Sequence, residues 1–163
     1  RRPVSLADHH HWIAETTMRD AVPDDIRQAF AVGQNLTLYA WFVYPFLSSA
    51  QLQFAGCIEN AFRVKLGLDA DWSAQHGLGK LLRLAQEARL LAGVEFRSPA
   101  GCLPGPRAGE NHEEWIFAKV ARIIQLIRNG LAHGRPMLLP DGGAFTHLTD
   151  DTVNHLFAEE RDT

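Results

Sequence analysis

Cysteine is scarce in this chain: two residues, Cys57 and Cys102, in 163. One sits in an apolar helical pattern and the other in a Gly/Pro stretch. No disulfide framework is expected, and a reducing, cytoplasmic setting is the default. Long hydrophobic runs are also missing. The most apolar stretch, Leu36 to Leu47, has about 12 residues, whereas a membrane span needs about 20. It reads as a buried or subunit-facing helix, and no membrane association is expected. The first residues, RRPVSLADHHH, lack the apolar segment of a secretory leader. Excess positive charge is absent too. A net charge of -3 gives no global attraction to nucleic acid, so any such binding must use a local patch. There is no phosphate-binding glycine loop, no Ser-His-Asp set and no convincing zinc spacing. The run His9-His10-His11 points its side chains in different directions on what reads as an irregular segment, residues 1 to 22. No metal or cofactor is expected.

What remains is helical signal, in a chain long enough for one domain with a real core. A first long helix is expected from Pro23, with Asp24 and Asp25 in its first turn, to about Phe46, kinked or ended by Pro45. Ser48 and Gln51 match a capping box for a second helix, with Phe54, Ala55, Ile58, Ala61, Phe62 and Leu66 on its apolar face and Gly67-Leu68 as its stop. Glu59 and Arg63, four apart, read as a surface pair; the alternative is that Glu59 faces and orients a motif on the last long helix. A third helix spans about Leu78 to Leu91. Residues 93 to 111 form a long Gly/Pro loop, in which Arg97 and Arg107 are either simply mobile and solvated or available to touch a polyanion. A last short helix is expected to be capped by Thr149 or Asp150, with Val153, Leu156 and Phe157 facing inward. The expected fold is all-α: a four-to-five-helix up-down bundle, with a long loop before the fourth helix and a short C-terminal helix.

The strongest helical pattern runs from Asn111 to Pro136. Ile116, Val120, Ile123, Ile124, Ile127 and Leu131 recur at three- and four-residue steps. Asn111 suits the N-cap, and Gly134 and Pro136 the stop. At 100° per residue Arg122, Asn129 and His133 fall within about 40° of one another. Arg128 lies at the edge of the apolar face, where a guanidinium needs a partner or a bound anion. From Trp115 to Pro140 there is no Asp or Glu, whereas Lys119, Arg122, Arg128 and Arg135 are present. This local positive patch either complements the helix dipole or binds phosphate.

The segment Arg128-Asn129-Gly130-Leu131-Ala132-His133-Gly134 resembles the signature of the HEPN superfamily (higher eukaryotes and prokaryotes nucleotide-binding). In that signature an Arg, often followed by Asn, precedes a His by four to six residues at a helix end. The likeness extends loosely over residues 23 to 160. Arg135 stands where one branch, partnered with small nucleotidyltransferases, carries Tyr, which argues against that branch. The resemblance implies a metal-independent endoribonuclease with a composite homodimer site. Arg128, Asn129 and His133 would be catalytic, with Lys119, Arg122 and Arg135 binding substrate.

The residue chemistry agrees. Imidazole titrates near neutrality, so His133 can serve as base or acid. Arg128 can hold phosphate and stabilise developing charge. Asn129 can orient either. One chain offers one motif histidine, and a symmetric dimer, close-packed at Gly130, offers two. The expected function is therefore an RNA-cutting toxin or defence effector. A non-catalytic nucleotide- or RNA-binding module, and a partner-binding helical protein such as an antitoxin-like companion, are the alternatives.

Overall fold

The computed structural model describes residues 5–68, 77–97, 109, 111–133 and 144–158. Every element among them is helical: α1 (Leu6–Ala14), α2 (Asp24–Tyr39), α3 (Phe46–Lys65), α4 (Leu78–Glu87), α5 (His112–Ala132) and α6 (Ala144–Leu156). The all-α bundle is as expected; its helix count is not. Residues 1 to 22 look irregular in sequence, but α1 occupies part of them. Ser5 and Asp8 close a capping box at its start, and the His9 Nε2 lies 2.9 Å from the Thr37 carbonyl oxygen on α2. The three histidines hid a short helix whose packing is one-sided.

The centre of the bundle is α3, which packs against α2, α4, α5 and α6. Phe54, Ala55, Ile58, Ala61 and Phe62 are fully buried on it, as their spacing predicts. Its start differs from expectation. Pro45 sits at the N-cap, and Ser48 and Gln51 lie inside the helix, with Gln51 buried rather than capping. Nor does α2 reach Phe46: it ends at Tyr39, and a turn of successive backbone hydrogen bonds leads into α3. Pro45 disfavours helical geometry at Tyr44 and suits a helix start, so it opens α3 instead of kinking α2. At the far end Gly67 takes φ +65, and Leu68 N–H donates to the Arg63 carbonyl at 2.8 Å. That is the glycine-capped stop expected there. The thiol of Cys57 is buried within α3, and burial pushes its pKa up to about 12, so it packs as a small apolar group.

The α6 helix departs furthest from expectation. It begins at Ala144, so Thr149 and Asp150 lie mid-helix and not at its cap. Every residue from Phe145 to Val153 is buried, including Thr146, His147, Thr149, Asp150, Asp151 and Thr152. Thr149 donates to the Phe145 carbonyl within the helix, Thr146 Oγ1, His147 Nε2 and Thr152 Oγ1 make no hydrogen bond, and the two aspartates are answered by partners distant in sequence. Arg97 pairs with both Asp150 and Asp151, and its backbone N–H donates to Asp151 at 2.8 Å. Asn154 accepts from Arg19 N–H and donates to the Thr17 carbonyl. The Trp12 ring covers His147. Arg97 is therefore a structural clamp rather than a free cation in a loop; Arg107 lies outside the described residues.

Two outcomes follow from this packing. Gly33 on α2 faces the ring of Phe54, itself enclosed by Phe30 and Phe145. A Cβ at position 33 would meet that ring at 2.5 Å. Alanine gains up to about 1 kcal/mol of helix propensity, but forcing the ring aside costs about 1–3 kcal/mol. Gly33→Ala is thus expected to lower the urea midpoint, and a raised midpoint would contradict this packing.

Burial holds the His155 imidazole below its ordinary value, against a hydrogen bond with the Ala92 backbone. A depressed folded-state pKa gives stability that is present above the unfolded value, about 6.5, and is lost as pH falls below it. The melting temperature of His155→Gln should fall less steeply with acidification than that of the wild-type chain.

Candidate functional site

The motif helix, α5, begins as expected. Asn111 Oδ1 accepts from Glu113 N–H at 3.0 Å, closing the N-terminal turn. Ile116, Phe117, Val120, Ile124 and Ile127 are buried against the core. Phe62 of α3 stacks on Phe117 at 6.2 Å between centroids. With that face committed inward, Arg122, Gln125, Leu126 and Asn129 face outward, and His133 follows exposed at the end of the helix. Lys119 continues the same stripe one turn earlier, its Nζ lying 5.7 Å from the Trp115 ring centroid. From Lys119 to His133 the stripe extends about 21 Å at 1.5 Å per residue. Arg135 lies outside the described residues, as do Gly134 and Pro136.

Arg128 leaves the stripe. Five residues of helix put it about 140° away from His133 around the axis, and it turns toward α3. There its Nε lies 3.3 Å from Glu59 Oε2. Arg63 approaches the other carboxylate oxygen at 3.3 Å. The expected Glu59–Arg63 pair exists, but it is not a surface pair: the side chains are only 12% and 16% exposed. The surface reading of Glu59 therefore fails, and its carboxylate lies between Arg63 of its own helix and Arg128 of α5. Glu59 Oε2 makes no hydrogen bond, so its contact with Arg128 is an ion pair without hydrogen-bond alignment.

The arrangement divides the residues into two groups. Glu59, Arg63 and Arg128 form a partly desolvated charge cluster between α3 and α5, in which Arg128 keeps 44% of its side chain exposed. Lys119, Arg122, Asn129 and His133 are presented on one face of α5. The first group pairs an arginine that stays partly exposed to solvent. The second offers cationic and hydrogen-bonding groups along a line, a pattern suited to an extended anion. Nothing in the sequence singled out Leu126, which is 37% exposed in the middle of that face.

A polar cavity of about 720 Å³ lies elsewhere, with no lining residue from α5. Its walls include Glu15, Glu95, Asp150 and Asp151 against Arg19 and Arg97. Acids outnumber cations there, which disfavours phosphate. Among the described residues no group of three or more His, Cys, Asp or Glu side chains is placed to hold a metal ion, and no helix is long and apolar enough to cross a membrane. No protein family, curated protein or solved structure matches the chain.

The charge cluster and the exposed stripe should separate in their effect on stability. Arg128→Ala leaves a mostly buried carboxylate facing one cation fewer, and is expected to cost about 1–3 kcal/mol in chemical denaturation. Asn129→Ala and His133→Ala, both at exposed positions, should stay within about 0.5 kcal/mol. Adding Glu59→Gln to Arg128→Ala should recover part of the loss, and fully additive effects would show that the pair is not coupled.

Proposed function

We propose that this chain is a HEPN-like, metal-independent endoribonuclease acting at a composite homodimer site, in the manner of a toxin or defence effector. The observation that carries the reading is the combination at the end of α5: Arg128 held in place by Glu59, with Asn129 and His133 left open to solvent. Catalytic side chains need fixed geometry and access to substrate, and the ion pair supports the first without removing the second.

In the proposed reaction the ribose 2′-oxygen attacks the adjacent phosphorus while the bond from phosphorus to the 5′-oxygen breaks. The 2′-hydroxyl proton passes to a base, and the leaving oxygen receives a proton from an acid. His133 of one subunit fills one role and the same histidine of a second copy fills the other. Arg128 stabilises charge on the phosphoryl oxygens, Asn129 orients the phosphate, and Lys119 and Arg122 track the neighbouring backbone. Arg135 is assigned to that same binding role.

One observation favours a second reading. The charge of Arg128 is already answered by Glu59, which weakens its pull on phosphate. On that view the basic stripe binds nucleotide, RNA or a protein partner such as an antitoxin without cleaving anything.

The two readings divide in a cleavage assay with purified protein, mixed RNA and excess EDTA. Wild-type protein should cut RNA and leave DNA intact, since DNA lacks the attacking hydroxyl. His133→Ala should lose at least about a hundredfold in rate. Arg128→Lys keeps the charge but loses the planar fork, and should also be impaired while remaining folded. RNA that is bound equally by wild-type and His133→Ala proteins, and cut by neither, would establish the non-catalytic reading.

A further inference from the structure

The connection between α2 and α3 presents an apolar surface that the bundle does not use. Tyr39, Trp41, Phe42, Val43, Tyr44 and Phe46 are 58%, 42%, 68%, 45%, 62% and 39% exposed. The stretch was expected to be buried within the chain or to face another subunit. Thr37, Ala40 and Leu47 are buried, but Tyr39 and Trp41 to Phe46 are not. The turn itself is well built: Ala40, Trp41, Phe42, Val43, Phe46 and Leu47 each donate a backbone hydrogen bond to a residue three or four positions earlier. Trp41 is further braced by the His9 ring, 5.5 Å away between centroids. A hydrogen-bonded turn holding five aromatic rings outward is a surface with a defined shape.

Its chemistry narrows the occupant. From Gln28 to Ile58 there is no Asp, Glu, Lys, Arg or His. The turn itself therefore brings no charge with which to select an oppositely charged partner, and none with which two copies of it would repel each other. It also lacks the Lys and Arg that anchor interfacial segments to anionic lipid.

Area narrows it further. A fully exposed aromatic side chain offers about 150–250 Å², so these five, about half exposed, present about 500 Å². That reaches the upper range of apolar patches on monomeric proteins. Paired with itself about a two-fold axis, the surface buries about 1,000 Å², the size at which specific interfaces begin. Aromatic residues are also those that dominate interface energetics.

We infer that the Tyr39–Phe46 turn is the surface through which two copies of this chain associate. The inference stands on the turn alone and does not depend on the chain cutting RNA. Phe42 and Tyr44 are its central contacts, because they are the most exposed and have the least to do with the bundle's own core.

Sedimentation equilibrium over a wide concentration range tests this with three proteins. The wild-type chain should give the mass of a dimer. Phe42→Glu/Tyr44→Glu should raise the dissociation constant more than about tenfold, with an unchanged helical circular-dichroism spectrum. Phe42→Cys, in a Cys102→Ala background, should form a disulfide-linked dimer on mild oxidation, whereas Arg83→Cys in the same background should not. A wild-type chain that stays monomeric, or a double-Glu variant that dimerises as tightly as wild type, overturns the inference. So does a monomeric wild-type chain that co-sediments with uncharged phosphatidylcholine vesicles, which would assign the turn to a lipid surface.

Discussion

A carboxylate that is only 12% exposed has to be answered by charge, and Glu59 is answered from two directions. Arg63, one turn along α3, holds it from its own helix, and Arg128 holds it from α5. Leaving such a group unpaired costs more than pairing it yields. The ion pair therefore acts less as a source of net stability than as a constraint on how α5 can sit against α3. With Phe62 on Phe117 and Glu59 on Arg128, the rotation of α5 about its axis is set. That rotation decides which residues face outward, and it turns Lys119, Arg122, Asn129 and His133 to solvent.

The proposed chemistry depends on this division. A guanidinium that must meet phosphate benefits from being held, and a histidine that must exchange protons needs access. The same α5 geometry keeps Arg128 and His133 of one chain about 140° apart around the helix. That separation is a further reason to look to a second copy for the complete set. The exposed aromatic turn between α2 and α3 is the surface proposed for that association, and its chemistry is independent of the motif.

The sequence was most legible where structure is local. The Ile116, Val120, Ile124 and Ile127 face, the Asn111 cap and the Gly67 stop all follow from spacing of three or four residues, and all are present. The need of Arg128 for a partner was readable from its place at the edge of the apolar face. Which partner it takes was open, because Glu59 is far away in sequence and has a nearer arginine. The polar run in α6 is illegible locally for the same reason: Thr149 and Asp150 resemble a helix cap until Arg97, more than fifty residues earlier, is brought against Asp150 and Asp151. In α1 the histidine run obscured a short helix that Ser5 and Asp8 cap locally, and whose anchoring contact, His9 to Thr37, is not local. The α2–α3 connection is illegible for a different reason, since apolar composition alone does not distinguish a buried helix from an exposed aromatic turn.

The central claim is that the end of α5 promotes attack by a ribose 2′-hydroxyl, and the ends of the RNA fragments test it most directly. In EDTA, mass spectrometry of the products should show 2′,3′-cyclic phosphate on one fragment and 5′-hydroxyl on the other, and a 2′-deoxy substitution at the cleaved position should abolish cutting there. Fragments ending in 3′-hydroxyl and 5′-phosphate, or RNA left whole, would contradict it.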